Sequence, residues 1–123
     1  ELGVKSLEWS PDGSKIIMIS GESSLIIIQA DGTNTKELPI KDIKEVKWSP
    51  QSDKIIYTKV KEKGLWIINS DGSNNKLLTT DYVINMSWSP DGKKITYSCF
   101  IEGNLTVWVI NSDGTNKIKV YPH

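Results

Sequence analysis

The chain contains no arginine: all fifteen of its basic residues are lysine, and fifteen acidic residues balance them to a net charge of zero. Without the planar, bidentate guanidinium fork, the side chain best suited to phosphates and base edges is missing, which argues against nucleic acid as a partner. Cysteine occurs once, as Cys99, so an internal disulfide is excluded, and one thiol suits reducing and oxidising compartments alike. Its expected role is that of a small buried hydrophobe rather than a nucleophile. Histidine also occurs once, as His123, which removes a Ser-His-Asp triad, a Cys-His pair and the usual zinc ligand sets. No apolar run approaches the roughly 18 residues of a membrane-spanning helix; the longest candidate, Leu25-Ile26-Ile27-Ile28, has strand length. A glycine-rich phosphate loop is absent, and Gly21-Glu22-Ser23-Ser24-Leu25 lacks the closing glycine of a nucleophile elbow. No methionine or apolar leader stands at Glu1, so a processed or excised piece of a longer protein is expected. These absences together predict a soluble, non-enzymatic chain with no cofactor and no metal.

What remains is ordinary globular composition, 37% hydrophobic and 24% charged over 123 residues, arranged as a repeat. Trp9-Ser10-Pro11-Asp12-Gly13-Ser14-Lys15-Ile16 returns as Trp48-Ser49-Pro50-Gln51-Ser52-Asp53-Lys54-Ile55 and as Trp88-Ser89-Pro90-Asp91-Gly92-Lys93-Lys94-Ile95. The period is about 40 residues, within the range of propeller and solenoid repeats. A second marker follows each tryptophan at a near-constant distance: Asp31-Gly32-Thr33-Asn34, Asp71-Gly72-Ser73-Asn74 and Asp113-Gly114-Thr115-Asn116.

Between the markers, β-branched and aromatic residues fall into short runs bounded by turn residues, four runs to a repeat. The predicted first strands are Val4 to Ser10, Ile43 to Ser49 and Val83 to Ser89; the second are Lys15 to Ser20, Lys54 to Val60 and Lys94 to Phe100. The third are Leu25 to Ala30, Leu65 to Asn69 and Leu105 to Asn111, and the fourth Lys36 to Leu38, Lys76 to Thr79 and Lys117 to Val120. Ile40, Ile43 and Val46 are spaced as on a helical face, but alignment with Val83 to Ser89 overrules that local signal. Proline sets φ for the second position of the Ser-Pro-Asp-Gly turn and glycine takes the left-handed conformation that closes it. The Asp-Gly pairs of the second marker predict two-residue hairpin loops. Gln51-Ser52 replaces Asp-Gly in the second repeat, so Ser52 is expected to be strained by about 1 kcal/mol if it keeps the positive φ, and Ser52→Gly to stabilise.

Both sides of these sheets are apolar, as where Ile84, Met86 and Trp88 alternate with Val83. Sheets apolar on both sides need neighbours on both sides, and radial packing around an axis supplies them at this repeat length. The predicted fold is an all-β β-propeller segment of three four-stranded antiparallel blades, about 1–39, 40–80 and 81–121, in a single domain over 1–123. From Trp9 to Asn116 the markers resemble the TolB-type (WD-like, PD-repeat) propeller family, in which a Trp- or Phe-Ser-Pro-Asp-Gly hairpin precedes a third strand ending in Asp-Gly. The resemblance implies inter-blade packing for Trp9, Trp48 and Trp88, while Trp66 and Trp108 hold matching third-strand positions and are expected in the core. It implies periplasmic scaffolds, extracellular binding modules or propeller domains attached to hydrolases as the functional range, and a periplasmic or extracellular location.

Three blades leave an open wedge, with each bare end face covering roughly 300 Å². Two closures follow: two chains joined head to tail as a six-bladed homodimer, which is favoured, or the missing blades of a longer chain. The loops after the second and fourth strands differ between repeats, and a rigid scaffold presents specificity on such loops. Glu22, Lys61, Lys63, Tyr82 and Glu102 are therefore the candidate rim for a protein or peptide partner, Tyr82 foremost. A carbohydrate-binding surface and a propeller segment of a larger enzyme are the alternatives. Asn69 to Asn74 and Asn111 to Asn116 resemble oxygen-rich calcium loops only loosely, without the closing glutamate, and are assigned as hairpins. Asn85-Met86-Ser87 and Asn104-Leu105-Thr106 match the glycosylation acceptor but fall in predicted strands and receive no role.

Overall fold

A computed structural model describes residues 3–122; Glu1, Leu2 and His123 lie outside the described residues, and with them the assignment of His123. Twelve strands follow one another among the described residues: β1 (Val4–Trp9), β2 (Lys15–Ser20), β3 (Leu25–Gln29), β4 (Lys36–Glu37), β5 (Ile43–Trp48), β6 (Lys54–Lys59), β7 (Leu65–Asn69), β8 (Lys76–Thr79), β9 (Asn85–Trp88), β10 (Lys94–Ile101), β11 (Asn104–Asn111) and β12 (Ile118–Tyr121). They form three antiparallel sheets, β1 to β4, β5 to β8 and β9 to β12, each in sequential order and with no strand exchanged between sheets. The helix-like spacing around Ile43 lies in β5. Strand ends depart from the sequence reading by one or two residues; β9 starts at Asn85 rather than Val83, and β10 runs to Ile101.

The turns hold because their side chains act on their own backbone. Gly13, Ser52 and Gly92 each donate a backbone N–H to the serine carbonyl three residues earlier, closing the first-marker turn in every blade. Ser10, Ser49 and Ser89 use Oγ to accept from the amides of Lys15, Lys54 and Lys94, which locks the start of the second strand. Ser52 does keep a positive φ, 64°, where the other blades place glycine. It also accepts the Asp12 amide on Oγ at 3.0 Å, a contact between blades that no glycine can make. That contact reduces the gain expected of Ser52→Gly, because the substitution loses the bond as it relieves the strain. The second-marker loops correct a further expectation: β3 and β4 are separated by residues 30–35, a six-residue loop rather than a two-residue hairpin. The Asp-Gly pair closes a four-residue turn on Gln29, Asn69 or Asn111, and an asparagine at φ of 50 to 54° then redirects the chain. The two-residue hairpin occurs instead at Glu102-Gly103, between Ile101 and its partner Asn104.

Two hydrophobic cores lie between the sheets. The first joins Ile17, Ile19, Leu25, Ile27 and Leu38 of the first blade to Val46, Trp48, Ile55, Tyr57 and Ile68 of the second. The second joins Ile56, Leu65 and Ile67 of the second blade to Met86, Ile95, Tyr97, Cys99 and Ile110 of the third. Adjacent residues of β6 thus enter opposite cores, as the pleat requires, so the middle blade is buried on both sides. Trp66 packs on the first core, stacked on Tyr57 at 5.7 Å, and Trp108 on the second.

Trp9 differs from its counterparts. It is 61% exposed and every residue of β1 is exposed, whereas Trp48, at the equivalent position of the second blade, is 6% exposed. The physical reason is geometric: a tryptophan at this position packs backwards on the preceding blade, and among the described residues the first blade has none behind it.

Candidate partner-binding rim

Strands alternate in direction, so the first- and second-marker turns share one rim and the loops after the second and fourth strands share the other. The marker rim is chemically occupied. Asp31, Asp71 and Asp113 each accept the amide and hydroxyl of the residue two positions on, and these bonds hold their carboxyls below the usual range. Asp12 is lowered to about 2, chiefly by the amide of Ser14 and then by the hydroxyls of Ser14 and Ser10. These aspartates are structural acceptors.

On the opposite rim the loop at 60–64 is tied to the preceding strand connection by the Val60 amide, which donates to the Asp42 carbonyl at 2.8 Å. Lys59 pairs with Glu62 at 3.6 Å and lies over the ring of Trp66, leaving Lys61 and Lys63 without an acidic partner among the described residues. Tyr82 is 58% exposed, with the Lys44 ammonium 5.8 Å from its ring centroid. Two shallow depressions meet at this tyrosine. One, of about 220 Å³, is lined by Lys59, Val60, Lys61, Glu62, Lys63 and Tyr82; the other, of about 330 Å³, is lined by Tyr82, Ile84 and Phe100.

Of the five candidate rim residues, Lys61, Lys63 and Tyr82 are therefore brought together. Glu22 stands apart in the first blade's loop, and Glu102, with φ of 52°, sits at the tip of the long β10–β11 hairpin. There it lines a separate depression with Ile101, Leu105 and Tyr121. Val60, Ile84, Phe100 and Lys44 escaped sequence reasoning because they lie in or beside strands, where only register decides which face a side chain takes.

Beside this rim, Tyr97 donates to Asp81 at 2.7 Å and Lys117 pairs with the same carboxylate at 2.8 Å. Burial raises the Asp81 carboxyl, but the bonds from Lys117 and Tyr97 outweigh it and hold the group below its ordinary value. Burial pushes Tyr97 and Tyr57 up to about 12. Cys99 is buried against Thr106. Among the described residues no group of three or more His, Cys, Asp or Glu side chains is placed to hold a metal ion, and no helix is long and apolar enough to cross a membrane.

Three sequential four-stranded sheets stacked through apolar faces are consecutive blades of a β-propeller. Solved structures with this arrangement include TolB from Acinetobacter baumannii, 17% identical with a TM-score of 0.72, which matches 94% of this chain and 31% of its own. The β-propeller domain of the Trilobed protease from Pyrococcus furiosus, described as having an open velcro topology, is 13% identical with a TM-score of 0.74, over 95% of this chain and 42% of its own. An oligogalacturonate lyase in complex with manganese is 14% identical with a TM-score of 0.78, over 95% of this chain and 41% of its own. The chain thus spans less than half the length of these propeller structures, and at such identities the likeness concerns the fold. No family model and no curated protein matches the sequence.

Proposed function

We propose that the chain is a non-catalytic propeller module that completes a six-bladed ring with a second copy and binds a protein or peptide on the rim around Tyr82. The observation that carries this reading is where the exposed apolar side chains fall. Of the eleven large hydrophobics left exposed in the described residues, nine fall in two places: Val4, Leu7 and Trp9 on the bare face of the first blade, and Val60, Tyr82, Phe100, Ile101, Leu105 and Tyr121 on the variable rim; Leu77 and Ile118 stand apart, in β8 and β12. Clustered apolar exposure marks interaction surfaces, whereas scattered exposure needs no explanation. At the rim, aromatic and aliphatic groups stand beside Lys44, Lys61 and Lys63, a combination that favours an acidic peptide with an apolar anchor.

The test is selection of peptides from a display library on the purified chain. Enrichment of acidic sequences that is lost on Tyr82→Ala and on Lys61→Glu with Lys63→Glu supports the reading; enrichment indifferent to these changes, or a substrate turned over by the chain alone, overturns it. Light scattering tests the ring, since a closed dimer has twice the 13.8 kDa mass of one chain. A propeller segment of a larger enzyme is the second reading, favoured by the partial coverage of the solved propellers, and it predicts a monomer whose end faces are covered by further blades.

A further inference from the structure

The two internal blade interfaces are built alike, and their rules define the third. Trp48 donates its indole N–H to the carbonyl of Glu8 in the preceding blade at 3.4 Å, and Trp88 donates to that of Lys47 at 3.3 Å. Glu8 and Lys47 each immediately precede their own blade's tryptophan, so the corresponding acceptor on the third blade is Ser87. On the marker rim, Lys36 binds the carbonyl of Asp71 in the following blade and Lys76 that of Asp113. Lys36 lies opposite Ile27 in the β3–β4 register and Lys76 opposite Ile67 in β7–β8; opposite Val109 in β11–β12 stands Ile118. The third blade thus lacks the lysine that the first two extend forward from this position.

Its forward face is also leaner. The β2 and β6 positions that point forward are Ile17 and Ile19, then Ile56 and Thr58; in β10 the equivalents are Thr96 and Ser98. Leu25 and Ile27, then Leu65 and Ile67, become Val107 and Val109. A shallow depression of about 170 Å³ lies there, lined in part by Ser87, Thr96, Ser98 and Val107.

We infer that the first blade's bare face seats on the third blade of a second copy through the tryptophan contact of the internal interfaces, Trp9 donating to the second copy's Ser87 carbonyl, and that this seam is a dissociable clasp. The inference rests on the second-copy reading above. Continuity with the two internal interfaces selects the occupant, because the residues left bare, Val4, Leu7 and Trp9, are those that Ile43, Val46 and Trp48 bury in the next blade. The anchor is kept at the seam while the lysine contact is removed and the apolar contribution reduced, so the ring opens here before it opens elsewhere.

A dilution series read by sedimentation velocity tests this with the whole chain and two variants at exposed positions, Trp9→Phe and Ile118→Lys, each checked for an unchanged monomer fold by circular dichroism. A twofold ring has two identical seams, so a change of about threefold per seam, the scale of one exposed polar contact, becomes about tenfold in the dimer Kd. Ile118→Lys is expected to tighten the dimer about tenfold, and Trp9→Phe, which keeps an aromatic ring but loses the indole donor, to loosen it by a similar factor. A dimer whose Kd neither variant moves overturns the clasp and leaves the second-copy reading standing. A wild-type chain that stays monomeric at every concentration overturns both.

Discussion

Ser52 offers a measurement of what one left-handed residue costs in this fold. Its φ is 64°, in a region that disfavours residues with a Cβ by about 1 kcal/mol. Against that stands the Asp12 amide, which donates to Ser52 Oγ, a neutral hydrogen bond of about 1 kcal/mol when fully buried. Asp12 is exposed, so water partly replaces the lost acceptor. The bond then contributes about 0.5 kcal/mol, the low end of the usual range. Ser52→Gly relieves the strain and loses the bond, for a net gain of about 0.5 kcal/mol or less. Ser52→Ala keeps the strain and loses the bond, for a net loss of about 0.5 kcal/mol. The informative quantity is the gap between glycine and alanine at this site, about 1 kcal/mol, equivalent to about 4 °C in Tm. Gly13→Ala supplies an independent reading: Gly13 has φ of 74° and a Cβ there meets no atom within 4 Å, so the variant is charged only with backbone strain, again about 1 kcal/mol. Urea unfolding at one fixed protein concentration measures all four proteins, since association adds stability that depends on concentration. Equal stability of the glycine and alanine variants at position 52, together with a Gly13→Ala cost near zero, refutes the reasoning.

Thr58 has a buried hydroxyl with no hydrogen-bond partner among the described residues; Thr58→Val replaces it with a methyl group in a strand that favours branched residues and is expected to gain about 1 kcal/mol, and a lower urea midpoint counts against it. Asp81 titrates below its ordinary value in the folded chain, so its contribution is present above an unfolded pKa of about 4 and is lost as pH falls through and below that range. Asp81→Asn is accordingly expected to cost about 1 kcal/mol at neutral pH, given the partial exposure of both Asp81 and Lys117, and about nothing once the carboxyl is protonated in both states. A penalty of the same size under both conditions, read from guanidinium midpoints, shows that the group acts through packing instead.

The twelve strands were legible because their boundaries are written as chemistry. Pro11, Pro50 and Pro90 open turns that the following residues close, and the same turn returning about every 40 residues needs no tertiary information to be recognised. The length of the second-marker loop was not legible, because Asp-Gly commits only to a local reversal; the asparagine three residues after each aspartate, at positive φ, adds the second bend. Trp9 shows a different limit. Its surroundings in sequence match those of Trp48, yet one is bare and the other buried, since a side chain records which neighbour it requires and not whether that neighbour is supplied by the same chain. At the rim, loop position sufficed to find Lys61, Lys63 and Tyr82, while Phe100 depended on the face that the β10 pleat assigns it and Val60 on how the chain leaves β6.

The division of labour between the rims follows from these contacts. On the marker rim, each second-marker aspartate is held by its own Thr or Ser, and the lysine contacts that join one blade to the next land on the carbonyls of Asp71 and Asp113. A substitution there disturbs a turn and a blade interface together. The opposite rim carries no equivalent lysine bond to a neighbouring blade's carbonyl among the described residues; its loops are closed by short backbone bonds such as Ser23 to Ser20 and Val60 to Asp42. Residues such as Lys61, Lys63 and Glu102 project from these loops into solvent, so they can change without opening either core. Stability is therefore concentrated where the repeats agree, and the surface free to acquire a partner is the one where they differ.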